Sequence, residues 1–260
     1  NMTMNEFKVI FWWEWAHRLL GRLIGLGFLI PLIYFSFKIK FFKLINLYLI
    51  FLLICLQGLI GWYMVMSGLV NNIDVSHFRL SVHLVMAFLI LSLIFWSYLK
   101  IKGNYNKSNK INTLIPAIFL FLVFTQIVIG AFVSGMDAGK IYNTWPLMGN
   151  TYFPNDNNIS NLFKLSAFND PSLVQFLHRN LAYLITIFYL YIFYNIYINK
   201  MYNLYKSVII LGFFIFLQII LGILTILYGA TLYIAAMHQL SSVFLVSASV
   251  YFLFLNRKSN

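Results

Sequence analysis

LINLYLIFLLICLQGLIGWYMVM, residues 44 to 66, is the stretch that decides the fold class. Twenty-three residues without a charge exceed the roughly 20 that a helix needs to cross a hydrocarbon core about 30 Å thick. They also lack the apolar/polar alternation of an outer-membrane barrel strand. Six further runs share this character, at residues 15–37, 78–100, 111–134, 175–199, 205–228 and 231–255. The whole chain of 260 residues is 62% hydrophobic and 9% charged, outside the range of soluble globular domains. The expectation is an all-α polytopic membrane protein of seven transmembrane helices. One connection is long: residues 135–174 carry Asp, Asn, Pro and Lys without a spanning run and must form a loop outside the bilayer. Nothing at the N-terminus reads as a cleavable signal, since Asn1 to Trp13 is amphipathic and leads into the first span.

Charge fixes the expected orientation. Lys38, Lys40 and Lys43 follow the first span, and Lys100, Lys102, Lys107 and Lys110 the third. Lys200 and Lys206 follow the fifth span, and Arg257 and Lys258 the seventh, so eleven of the 18 basic residues fall on one face. All six acids, Glu6, Glu14, Asp74, Asp137, Asp156 and Asp170, fall on the other, with the long loop. Positive residues are retained on the cytoplasmic or matrix side, which places the N-terminus and loop 135–174 outside and the C-terminus inside. The net charge of +12 is therefore chiefly an inner-surface charge suited to anionic lipid, and it is no argument for nucleic acid.

The chain repeats itself. Glu14-Trp-Ala-His17-Arg18 opens the first span and Gln175-Phe-Leu-His178-Arg179 the fifth, an offset of 161 that also carries Gln57 onto Gln218 and Gly61 onto Gly222. His83 and His238 correspond at an offset of 155, shortened by the tighter last connection. The fourth span has no mate in the first half. The pattern implies two pseudo-repeated helical bundles, residues 104–260 with four helices and residues 1–103 shortened to three. A chain shortened at its N-terminus and a seven-helix variant both satisfy it.

His17, His83, His178 and His238 lie within seven residues of the outer ends of their spans, at matched depth. Ionisable residues inside a membrane are costly and face a bundle interior with a partner or cofactor. Zinc or copper would require a third or fourth ligand nearby, whereas each half supplies two histidines and at most one carboxylate. Two imidazoles from facing helices suit the axial positions of a haem iron. Arg18, Arg22, Arg79 and Arg179 lie beside them, either snorkelling to the interface or binding propionates through charge-assisted hydrogen bonds. Glu14 sits about one turn outward of His17 on the same helical face, as a candidate proton carrier, a helix-terminal charge or a partner for Arg18. Its mate Gln175 is neutral. His77, without a repeat partner, reads as a surface residue, and Cys55, alone in mid-span, as a small buried filler that leaves the outer loops without a disulfide. These features leave an enzyme, a di-haem electron-transfer cytochrome and a non-haem assembly scaffold open, with the contrast between Glu14 and Gln175 favouring the enzyme.

Several strings resemble one family. They are EFKVIFWWEWAHRLLGR (Glu6 to Arg22), QGLIGWYMVMSGL (Gln57 to Leu69), DVSHFRLSVHL (Asp74 to Leu84), QIVIGAFVSGMDAGKIYNTWPLMG (Gln126 to Gly149), VQFLHR (Val174 to Arg179), LGILTILYG (Leu221 to Gly229) and AAMHQLSS (Ala235 to Ser242). Together they cover nearly the whole chain and are similar to haem A synthase of the mitochondrial and alphaproteobacterial type. The resemblance implies eight helices in two four-helix halves, one helix more than this chain offers. It implies oxidation of the C8 methyl of haem O to a formyl group, giving haem A for cytochrome c oxidase. It implies His17 and His83 as ligands of the substrate haem, Glu14 as the residue needed for oxidation, and His178 and His238 as iron ligands of a haem b. Haem O synthase, oxidase assembly factors, an electron donor and further copies of the chain are the partners it suggests. A bacterial inner membrane or mitochondrial inner membrane is the location it suggests.

The charge argument yields the first prediction. A protease site inserted near Asn155 is cut from the periplasmic or intermembrane side only; cutting from the side of the lysine-rich turns would overturn the orientation.

Overall fold

The computed structural model describes residues 3–68, 75–103 and 111–257, so Asp74, Lys107, Lys110 and Lys258 of the charge argument lie outside the described residues. Among the described residues seven helices are long and apolar enough to cross a membrane: α1 (Met4–Ser36), α2 (Phe41–Gly68), α3 (His77–Lys102), α4 (Leu114–Gly135), α5 (Pro171–Ile198), α6 (Tyr202–Leu227) and α7 (Leu232–Leu255). Among the described residues there is no sheet, only an isolated bridge between Met148 and Thr151.

Local chemistry sets the helix starts. The first helix begins at Met4 rather than at the expected residue 15, because Thr3 accepts from the Glu6 amide while the Glu6 carboxylate takes the Thr3 amide. This reciprocal cap satisfies two N–H groups that a helix start otherwise leaves bare. Helix α5 starts where Asp170 accepts from the Leu173 amide at 3.0 Å. Pro171 follows at the first helical position, where its missing N–H costs nothing. The loop between α4 and α5 is shaped throughout by three 3₁₀ turns, Ala138–Lys140, Ile159–Phe163 and Leu165–Asn169.

The chain divides into two compact units, residues 1–66 and 67–260. In the first, α1 and α2 form a hairpin in which the Ser36 and Tyr48 hydroxyls meet at 2.6 Å and Phe28 stacks on Phe51. Cys55, expected to be buried, is exposed on α2: a thiol is apolar enough to face lipid and needs no hydrogen bond there.

In the second unit α4 packs on α5, α5 on α6, α6 on α7 and α7 back on α4, while α3 lies against α4 and α7. The four helices of this cycle enclose Phe119, Ile192, Leu204, Leu211, Val246 and Phe252, all essentially inaccessible. His77, expected on the surface, is the first residue of α3 and is half-buried: its ring meets Phe132 at 5.3 Å edge to face, and it lies against Gly135 at the end of α4.

A polar clamp holds the lysine-rich end of this unit. Asn256, fully buried, accepts from the Ile111 amide at 3.0 Å and donates to the Ile111 carbonyl at 2.9 Å, joining the chain before α4 to the end of α7. Replacing Asn256 by Ala leaves both backbone groups buried and unsatisfied, which costs about 1–3 kcal/mol for each such group. Asn256→Ala is therefore expected to lower the melting temperature of the detergent-solubilised protein clearly; an unchanged value would show that the clamp carries no stability.

Candidate functional site

Helices α5 and α7 face each other across the cycle of four, and each brings one histidine to the same level. The rings of His178 and His238 are 6.5 Å apart between centroids, with their planes inclined at 79°. The Nδ1 atoms of both are buried and have no hydrogen-bond partner. An imidazole nitrogen in a low-dielectric site without a partner is costly, and a metal ion is a partner that would use it. The spacing suits two axial ligands of one iron, because metal–imidazole bonds of about 2 Å place two coaxial ring centres about 6.4 Å apart. Among the described residues no three His, Cys, Asp or Glu side chains gather at one point, so this donor set is the pair of imidazoles.

The flanking helices shape the site. On α4, Gln126 donates through Nε2 to the His178 carbonyl at 3.0 Å, and the same nitrogen lies 3.3 Å from His178 Nε2. On α6, Gln218 donates to the His238 carbonyl at 3.0 Å and to Ser241 Oγ at 2.7 Å. Four residues after each glutamine stands a glycine, Gly130 or Gly222, against the Cε1 edge of the same histidine. The 161-residue repeat pairs Gln57 and Gly61 with Gln218 and Gly222 but gives Gln126 and Gly130 no mate. The signal was present as a third copy of the string Gln-x-x-x-Gly, at 57–61, 126–130 and 218–222.

Beside His178 the long loop between α4 and α5 is strapped to α5. Arg179 is buried, and its Nη1 donates to the carbonyls of Thr144 at 2.9 Å and Leu147 at 3.2 Å while Nη2 donates to that of Tyr142 at 3.0 Å. Gln175, also buried, donates to the same Tyr142 carbonyl at 3.0 Å. The Nη atoms of Arg179, one of the four candidate propionate partners, thus hold backbone, and its Nε is buried without a partner. Trp145 donates to the Tyr183 hydroxyl at 3.1 Å and Tyr152 to Asn180 at 2.5 Å. Asp156 accepts from Tyr142 at 2.9 Å and from Ser172. Partial burial would by itself raise the Asp156 carboxyl, but the hydrogen bonds from Ser172 and Tyr142 outweigh it and hold the group below its ordinary pKa. Burial and then the neighbouring carboxylate push the Tyr142 phenol up.

The repeat mates in the first half of the sequence, which fall in both compact units, are arranged differently. Glu14 and Arg18 occupy the places of Gln175 and Arg179, yet form an exposed ion pair of 3.3 Å, with side chains 58% and 49% accessible. His17 and Arg22 are exposed on α1, and Arg79 and His83 are half-buried on α3.

A helical membrane protein with an opposed pair of intramembrane histidines is the class that these features define. Its sequence matches the profile of the cytochrome oxidase assembly protein family over residues 1–250. It is 49% identical over 262 residues to the heme A synthase of Pelagibacter ubique (strain HTCC1062), covering 100% of this chain and 77% of that protein. To the heme A synthase of Rickettsia bellii (strain OSU 85-389) it is 39% identical over 258 residues, 96% of this chain and 76% of the relative. To that of Rickettsia prowazekii (strain Madrid E) it is 38% identical over 265 residues, 98% and 78% respectively. The chain belongs to the cytochrome oxidase assembly protein family, among its heme A synthases.

The strap carries a pH prediction. A carboxyl whose folded pKa is depressed adds stability that is present above its unfolded value and is lost as pH falls through the folded one. Wild type and Asp156→Asn are therefore expected to melt apart at pH 7 and to converge as pH drops below the ordinary carboxylate range. A difference that persists unchanged into acid would show that the Asp156 charge plays no part.

Proposed function

We propose that this chain is a haem-dependent membrane oxidoreductase that converts haem O to haem A, oxidising the C8 methyl group to a formyl group for use in cytochrome c oxidase. The observation that carries this reading is the similarity, over the full length of the chain, to heme A synthases. The opposed imidazoles of His178 and His238 add a site of suitable donors and spacing for a resident haem b. Haem held by His178 and His238 would supply one-electron transfer.

By the resemblance to heme A synthases, His17 and His83 are the ligands of the substrate haem. The same resemblance gives haem O to residues 1–103 and haem b to residues 104–260. Arg18, Arg22 and Arg79 are the propionate partners that remain beside the substrate ligands, and Arg179 keeps only its Nε for such a role. Glu14 is the catalytic residue: a methyl carbon that is oxidised must lose protons, and a carboxylate beside the porphyrin edge can take them. Its mate Gln175 is spent on the Tyr142 carbonyl and cannot accept a proton at neutral pH. This contrast favours an enzyme over a di-haem cytochrome, in which neither half would need a base. With the lysine-rich turns inside, the site lies near the outer face of a bacterial or mitochondrial inner membrane. Haem O synthase upstream and oxidase assembly downstream are the expected partners, with an electron donor and self-association into a homo-oligomer.

The test is Glu14→Gln in membranes that make haem O. Shape and hydrogen-bonding reach are retained, so expression and the low-spin b-type spectrum stay near wild type, while haem A formation falls at least tenfold and a partly oxidised haem accumulates. Near-normal conversion would remove the catalytic role, and loss of the spectrum as well would make Glu14 a structural partner of Arg18 or His17.

A further inference from the structure

Two glutamines and two glycines that ligate nothing stand in the same relation to the two histidines. Gln126 and Gly130 lie on one face of α4, four residues apart, and Gln218 and Gly222 repeat that spacing on α6. Each glutamine places its amide nitrogen 3.0 Å from the carbonyl of a histidine on the next helix. Each glycine leaves open the volume that the edge of that imidazole fills. A Cβ built on Gly130 would come within 3.0 Å of His178 Cε1, and one on Gly222 within 3.2 Å of His238 Cε1. Ordinary contact begins at about 3.4 Å, so an alanine at either position must push the ring.

Neither residue type is neutral where it sits. An amide is costly to bury in an apolar span, the more so at Gln126, whose Oε1 has no partner, and glycine inside a helix costs about 1 kcal/mol against alanine. The same costs recur in two hairpins, α4–α5 and α6–α7, at the two places where an imidazole must be aimed. We propose that Gln126 with Gly130, and Gln218 with Gly222, are positioning residues that fix the height and ring orientation of His178 and His238 and so set the potential of the haem they hold. The glutamine pins the backbone carbonyl, which fixes the helix register at the histidine. The glycine bounds the ring, which fixes its rotamer and with it the angle between the two planes. Contacts around a ligating histidine orient it and tune the metal, and such contacts are among the protein's levers on haem potential. The two cradles are not identical: the Gln126 amide also approaches a ring nitrogen of His178, while Ser241 Oγ adds a second donor, at 3.0 Å, to the His238 carbonyl.

This inference rests on the reading of His178 and His238 as haem ligands, and the experiment separates the two. Redox titration and low-temperature EPR of the low-spin haem are recorded on the purified full chain as wild type, Gly130→Ala, Gly222→Ala, Gln126→Met, Gln218→Met and Gly212→Ala. Gly212 is the control, because a Cβ there meets the Tyr189 side chain on α5 rather than either imidazole. All four cradle variants are expected to shift the midpoint potential and the g-values, whereas Gly212→Ala lowers the melting temperature and leaves both in place. Should the glycine variants fail to accumulate, the methionine variants, similar in length to glutamine, decide alone. Wild-type potentials and g-values in the cradle variants, or an equal shift in Gly212→Ala, would overturn the positioning role. His178→Ala is measured alongside: loss of the low-spin signal leaves the ligand reading standing whichever way the cradle variants fall, and its retention overturns that reading itself.

Discussion

An imidazole inside a membrane-spanning helix has nitrogens to satisfy and no water to satisfy them. That constraint organises the second unit. His178 and His238 leave their Nδ1 atoms buried without partners, while the amide nitrogens beside them find acceptors within the protein. Gln126 and Gln218 spend their amide nitrogens on the histidine backbones, and Arg179 spends its Nη atoms on three loop carbonyls. At the centre of the four helices stands a pair of imidazoles with the spacing of an axial couple.

The same constraint separates the two halves of the repeat. In the second half Gln175 and Arg179 are buried and converge on the Tyr142 carbonyl, so a residue pair one helical turn apart fastens the loop between α4 and α5. In the first half Glu14 and Arg18 keep the same spacing but remain accessible and paired to each other. Duplication of a helical frame gives two equivalent positions; the change of one side-chain atom, amide nitrogen to carboxylate oxygen, goes with a loop contact in one copy and an exposed ion pair in the other.

Much of this was legible beforehand, for identifiable reasons. Hydropathy alone delivers seven spans, since a bilayer imposes length and composition on each. The four histidines stood out because charge-bearing residues are rare in such spans and these recur in register. The start of α1 was misplaced because hydropathy is blind to capping, which Thr3 and Glu6 perform in polar sequence before the apolar run. Cys55 and His77 were misjudged because neither burial nor exposure follows from residue type when one side of a helix faces lipid. The backbone duty of Arg179 was invisible because its acceptors are carbonyls, which carry no sequence signature. Gln126 and Gly130 do not stand out at the 161-residue offset, because their helix has no mate at that distance.

The account comes down to chemistry on a methyl group, and haem analysis reads that most directly. Haems extracted from membranes that contain this protein together with a haem O source are predicted to include haem A, absent from the same membranes without the protein. Haem O persisting with no haem A, beside a fully formed b-type spectrum, would contradict the account and leave an electron-transfer cytochrome in its place.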